Sequence, residues 1–88
     1  MTFLLETTPK FEDDYNKAIK KNLEMKKAID NKIKQILEDP ERFKPMHKPL
    51  QNFRRVHIMK SFVLLYYIKQ NENTIILAKF SHQDTAYR

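Results

Sequence analysis

Apolar residues recur at helical spacing through the first half of this chain and at strand spacing through the second. The helical positions form two stripes: Phe11, Tyr15, Ala18 and Ile19, then Met25, Ile29, Ile33, Ile36 and Leu37. Thr8 can cap the first helix and Pro9 suits its first turn. Asn22 separates the two stripes, and Asp39-Pro40 ends the second. The pattern predicts two antiparallel helices.

The second half predicts a three-stranded meander. Residues 40–52 form a proline-rich loop. The side chains of residues 53–59 then alternate between the two faces of a strand, and Arg55 and His57 lie on the same face. Residues 62–68 are continuously apolar, and residues 74–80 are rich in β-branched side chains. Lys60-Ser61 and Gln70 to Asn73 supply the turns. With a short strand at Thr2 to Leu5, residues 1–88 form one α+β domain, an antiparallel sheet packed on two N-terminal helices.

Composition narrows the class of protein. At 88 residues the chain has room for one small domain. The absence of cysteine excludes disulfides and thiolate metal sites. No apolar run approaches the ~20 residues of a membrane span, and Met1 to Glu6 is too short for a signal peptide. We therefore expect a soluble cytoplasmic protein without a membrane partner.

Charge is distributed unevenly along the chain. From Arg42 to Arg88, nine Lys or Arg residues stand against two acidic residues, a local balance of +7. The first 41 residues carry eight Lys and nine carboxylates, a balance of −1. All three histidines, His47, His57 and His82, lie in the basic half. A nucleic acid is the expected partner, because cations that displace condensed counterions from phosphates gain affinity.

The basic half also carries candidate catalytic groups. Cleavage of RNA without a metal or cofactor needs a base, an acid and cations near the phosphate. Strand alternation puts Arg55 and His57 on one face, about 7 Å apart along the strand. His82 directly follows the last strand, and a tail that curls over the sheet would bring it and Tyr87 towards His57. Candidate contacts to RNA are Arg54, Arg55, Lys60, Lys79, Arg88 and His47.

Simpler interpretations of these residues remain open. A strand histidine is often a structural or surface residue, and His82 lies in a polar segment where it is easily solvated. Three widely spaced histidines give only a weak indication of zinc, because no H-x-x-x-H spacing is present.

The chain resembles the RelE/ParE superfamily of toxins, especially RelE-type and YafQ-like members. The resemblance covers nearly the full length and is most specific in residues 48–58, residues 61–66, the closing Phe80-Ser81-His82 and Tyr87-Arg88. It implies a strand-helix-helix-meander fold and a cytoplasmic ribonuclease that cuts mRNA in the ribosomal A site. It also implies a cognate antitoxin, RelB/DinJ-like, with an acidic and partly disordered segment.

The resemblance transfers to particular positions. His57 matches a strand histidine used in cleavage by YafQ-like toxins, and His82 matches their catalytic histidine after the last strand. Tyr87 approximates their C-terminal aromatic residue, and Arg54 matches a basic residue common before the strand histidine. The chain departs from the pattern in two places: Ser61 replaces a frequent aspartate, and Lys48 stands where a histidine is usual, with His47 one residue earlier.

The leading hypothesis is a ribosome-dependent endoribonuclease in which His57 and His82 share the roles of base and acid. The chain would then act on mRNA bound to the ribosome. One alternative is a ParE-like inhibitor of DNA gyrase, which shares the fold and needs no histidine pair. Another is a catalytically inactive relative that only binds its antitoxin.

Overall fold

The computed structural model describes residues 3–20, 22–46 and 52–82 of the chain. Its elements follow the order strand, two helices, three strands. They are β1 (Leu4–Thr7), α1 (Pro9–Ile19), α2 (Leu23–Glu38), β2 (Arg54–Ile58), β3 (Phe62–Lys69), a single 3-10 turn (Gln70–Glu72) and β4 (Thr74–His82). The predicted α+β architecture is confirmed.

Helix α1 begins at the predicted cap Thr8, and α2 begins at Asn22, the predicted break between the two stripes. The Thr8 hydroxyl accepts a hydrogen bond from the backbone N–H of Phe11, and Pro9 occupies the first turn of α1. The side chain of Asn22 accepts from the N–H of Met25 at the start of α2. These bonds satisfy amide groups that have no partner within their own helix.

The sheet has the strand order β1-β4-β3-β2 and is mixed. The meander pairs antiparallel throughout, but β1 pairs parallel to β4, with Leu4 opposite Thr74 and Thr7 opposite Leu77. The expectation of a wholly antiparallel sheet is therefore wrong for β1. The two helices separate β1 from the meander along the chain, so no tight turn forces β1 to run antiparallel to β4. The apolar pattern of the sequence does not show in which direction β1 pairs.

The core lies between the helices and one face of the sheet. We call this the helix face and the opposite side the outer face. Buried side chains of both helices and of β2, β3 and β4 meet there: Phe11, Met25, Ile29, Ile36, Val56, Ile58, Leu64, Tyr66, Ile75, Leu77 and Phe80. Burial of this apolar surface is the main stabilising contribution to such a small domain.

A β-bulge at Ala78 interrupts the pairing of β3 with β4. Leu65 pairs with Lys79 and Tyr66 pairs with Leu77, so Ala78 is the additional residue. The Thr8 hydroxyl donates to the carbonyl of Ala78 at 2.7 Å. One extra residue reverses the alternation of the strand, so that Lys79 turns to the outer face and the residue after it turns to the core.

The first helix completes the edge of β4 beyond the bulge. Since β1 ends at Thr7, none of the described strands lies beside β4 on that side past Leu77. The N–H of Phe80 instead donates to Oδ2 of Asp14 at 3.4 Å, and Oδ1 of the same carboxylate accepts from Lys10 at 2.8 Å. The Asp14 carboxylate of α1 thus accepts the backbone hydrogen bond that a neighbouring strand would otherwise accept.

The turn between β2 and β3 is one residue earlier than predicted. Met59 and Lys60 have φ values of 50° and 69°, and the N–H of Ser61 donates to the carbonyl of Met59 at 2.7 Å. Two consecutive residues with side chains in the left-handed region carry a steric cost that glycine would avoid.

Neither of the two described helices combines the length and the apolar character that a membrane span requires.

We expect Thr8→Val to lower the free energy of unfolding by about 1–3 kcal/mol, because it leaves the Ala78 carbonyl and the Phe11 amide without their partner. Thr8→Ser should lose much less. The matched control is Thr7→Val, since the Thr7 hydroxyl makes an exposed bond to Glu12. Urea denaturation measures all three, and equal losses for Thr7→Val and Thr8→Val would contradict the role of Thr8.

Candidate functional site

Two rows of side chains cross the outer face of the sheet. In the first row, His57 of β2, Val63 of β3 and Ser81 of β4 lie side by side. The strand backbones of β2 and β4 are roughly 10 Å apart, since one strand separates them. His57 is exposed, whereas Val63 is fully buried.

The second row brings together two of the predicted phosphate-binding cations. This row consists of Arg55, Leu65 and Lys79, side by side, and it lies two residues along the strands from the row of His57. Arg55 is exposed and Lys79 is half-buried. The structure thus confirms that Arg55 and His57 share a face, and the bulge at Ala78 adds Lys79 to it.

Buried apolar side chains of β3 separate the polar groups of β2 from those of β4. Val63 and Leu65 form a second small core with Met46, and Phe53 packs against it. The backbone N–H of Met46 donates to the carbonyl of Phe53 at 2.9 Å, which holds the end of the proline-rich loop beside β2. Met46 was not among the residues assigned a role from the sequence; the signal for its burial is that it is apolar and lies within a loop rich in charged residues.

His82 lies on the opposite side of the sheet from His57. It pairs with Phe62, and its ring meets the Phe62 ring edge-on at a centroid distance of 5.5 Å. Phe62 packs against the helix-face core and stacks on Phe80 at 5.3 Å. The expectation that His82 approaches His57 over the sheet is not met within the described residues, because β4 continues to His82 and pairing fixes its face.

The two histidines nevertheless share one end of the sheet. Ile58, Phe62 and His82 form the last paired level of β2, β3 and β4, and we call this level the sheet end. His57 lies one residue from the sheet end, and exposed Lys60 lies in the turn that closes it. The sheet end therefore carries His82, with Lys60 in the adjoining turn and His57 one residue away on the opposite face.

Arg54 holds the proline-rich loop. Its Nη1 donates to the carbonyl of Phe43 at 2.6 Å and to that of Glu41 at 3.3 Å. The neighbouring Tyr66 hydroxyl donates to the carbonyl of Pro40 at 2.6 Å. Burial raises the pKa of Tyr66 to about 12, so the hydroxyl remains a donor at neutral pH. Arg54 thus has a structural role, and its contact with RNA stays a prediction.

Three of the predicted site residues, His47, Tyr87 and Arg88, lie outside the described residues, as does Lys48. In the ranges that are described, no group of three or more His, Cys, Asp or Glu side chains is arranged to hold a metal ion. The Ser81 Oγ, on the same face as His57, is buried and makes no hydrogen bond to the described part of the chain.

The sequence and the fold match known toxins. A family model described as the ParE toxin of the type II toxin-antitoxin system, parDE, matches residues 5–87. A protein of Methanocaldococcus jannaschii named "Putative toxin RelE4" is 36% identical over 84 residues, which cover 96% of this chain and 89% of that protein.

Two solved structures share the fold at low sequence identity. The YoeB/ParE toxin from Agrobacterium tumefaciens superimposes with a TM-score of 0.83 at 14% identity, covering 92% of this chain and 99% of that one. A chain of the toxin-antitoxin complex RelBE2 from Mycobacterium tuberculosis gives a TM-score of 0.76 at 18% identity, covering 94% and 93%.

We expect Arg54→Ala to lower the free energy of unfolding by about 1–3 kcal/mol, because two loop carbonyls lose a charged donor. Lys44→Ala is the matched control: it removes one positive charge from the same loop, and the Lys44 side chain is exposed. Its effect should stay within about 0.5 kcal/mol. Chemical denaturation compares the two variants, and indistinguishable stabilities would contradict the structural role of Arg54.

Proposed function

This chain belongs to the ParE toxin family of type II toxin-antitoxin systems, and we propose that it is a ribosome-dependent endoribonuclease that cleaves mRNA and inhibits translation. The family match bears out the resemblance to the RelE/ParE superfamily. The chain is thus the toxin component of such a system.

The observation that supports cleavage is the composition of the sheet end. His57 and His82 reach it from opposite faces, with Lys60 in the adjoining turn. For both histidines to act on one phosphodiester, the RNA backbone has to cross the sheet end and contact side chains of both faces. Arg55 and Lys79, one step along the outer face, supply positive charge for the adjoining phosphates.

The proposed reaction needs two proton transfers. One histidine takes the proton of the ribose 2′-hydroxyl, whose oxygen then attacks the phosphorus. The bond between phosphorus and the 5′-oxygen breaks, the other histidine protonates that oxygen, and a 2′,3′-cyclic phosphate remains. Lys60 and Arg55 stabilise the charge that develops on the phosphate oxygens. Either histidine is a candidate for either role.

The ribosome contributes positioning. Holding the mRNA backbone in one conformation makes the attack of the 2′-oxygen effectively unimolecular, which lowers the demand on a small protein surface. The cognate partner is an antitoxin whose acidic segment neutralises Arg55 and Lys79 on the outer face. The reaction takes place in the cytoplasm, where mRNA is translated.

A second candidate function is inhibition of DNA gyrase. The matching family model is that of ParE toxins, and a gyrase inhibitor requires no pair of histidines. It also requires no approach of His57 to His82, which lie on opposite faces of the sheet. The two functions differ in whether mRNA is cut when the protein is produced.

We expect His57→Ala and His82→Ala each to relieve growth arrest and to lower cleavage of translated mRNA by about 100-fold or more, since each removes a group that transfers a proton. The measurement is mapping of mRNA 5′ ends after induction in cells. Lys27→Ala on the exposed side of α2 is the control and should stay fully toxic.

Undiminished cleavage in both histidine variants would refute the acid-base pair. Arrest with intact mRNA would support gyrase inhibition instead. Neither arrest nor cleavage by the wild-type chain would indicate a relative that only binds its antitoxin, in keeping with Ser61 in place of an acidic residue.

A further inference from the structure

A notch opens in the sheet where β2 begins. Arg54, the first residue of β2, pairs with Tyr66, but β3 continues to Lys69. The last three residues of β3 therefore extend beyond the start of β2. A cavity of about 460 Å³ occupies this place, which we call the notch. It is lined by Asn52, Arg54, Tyr67, Ile68, Lys69 and Gln70.

The notch exposes hydrogen-bonding groups of the backbone. The carbonyl of Phe53 and the N–H of Arg55 bond to the proline-rich loop, so these two residues face away from β3. Arg54 between them faces β3 and its partner Tyr66. By alternation along β3, the N–H and C=O of Ile68 face the notch, a donor and an acceptor side by side.

The side chains of the notch combine an aromatic ring, two amides and two cations. The Tyr67 ring is half-buried and meets the Phe53 ring edge-on at 5.4 Å, which fixes its orientation. Among the described residues that line the notch, none is acidic. The Lys69 ammonium is 3.9 Å from Glu72, an exposed and weak ion pair.

The notch lies on the path from the sheet end along the outer face. Tyr67 shares the outer face with Val63, the partner of His57, and lies four residues further along β3, roughly 13 Å away. Arg55 and Lys79 lie level with Leu65, halfway between them. Imidazole, cations and aromatic ring therefore follow one another along a single line.

We propose that the notch binds a nucleobase of the RNA strand whose backbone crosses the sheet end. The base stacks on Tyr67, its polar edge bonds to the Ile68 backbone and to the amides of Asn52 and Gln70, and Lys69 contacts the adjoining phosphate. This inference rests on the proposed function, since it assigns that strand a second point of contact.

The test is an NMR titration of the full chain with 5′-AMP, 5′-GMP, 5′-CMP and 5′-UMP, using ribose 5-phosphate as the control without a base. We expect saturable amide shifts at Asn52 and residues 67–70 with at least one nucleotide and none with ribose 5-phosphate. Tyr67→Leu should weaken binding ~5-fold or more, whereas Tyr67→Phe should stay within about twofold, because it keeps the ring.

If Tyr67→Leu does not fold, Asn52→Ala and Gln70→Ala replace it, since both side chains are exposed. Each should weaken binding about twofold or more through a lost hydrogen bond. Equal shifts with ribose 5-phosphate, or nucleotide shifts confined to residues away from the notch, would overturn the proposal. Saturation by an extended acidic peptide but by no nucleotide would overturn it in favour of strand addition.

The result of the nucleotide titration is independent of whether the chain cuts mRNA. Nucleotide binding at the notch by a chain that cuts no mRNA would refute the nuclease and retain the nucleotide site. Cleavage of mRNA by a chain that shows no nucleotide shifts at the notch would refute the notch alone.

Discussion

The hydrogen bond from the Thr8 hydroxyl to the carbonyl of Ala78 is the contact on which the arrangement of the site depends. It satisfies the bulged residue of β4, and the same hydroxyl caps α1. The bulge reverses the alternation of β4, so that Lys79 joins Arg55 and His57 on the outer face, while Phe80 enters the core. Strand alternation without the bulge would bury a lysine and expose a phenylalanine.

The same reversal decides on which side of the sheet His82 lies. His82 follows two positions after Phe80 and therefore takes the helix-face side, against the ring of Phe62. The sheet end is thus approached by His57 from one face and by His82 from the other. A site of this form suits a backbone that runs across an edge better than a ligand held in a closed pocket.

Local sequence signals predicted the helices and the meander, because each depends on neighbouring residues. Thr8 and Asn22 cap the helices, and alternation placed Arg55 beside His57. The parallel pairing of β1 and the bulge depend on contacts between distant residues. No glycine marks Ala78, although Lys79 before Phe80 breaks the alternation that Ile75 and Leu77 begin. The hydrogen bonds from Arg54 to carbonyls of the proline-rich loop likewise depend on the folded chain and could not be predicted from the sequence.

The most direct test of nuclease function is incubation of the purified chain with ribosomes that hold a defined mRNA codon in the A site, alongside free mRNA and a gyrase supercoiling assay. Ribosome-dependent nuclease function predicts a cut within the A-site codon, a 2′,3′-cyclic phosphate at the new end, little cutting of free mRNA and undiminished supercoiling. Intact mRNA on the ribosome together with blocked supercoiling would contradict it.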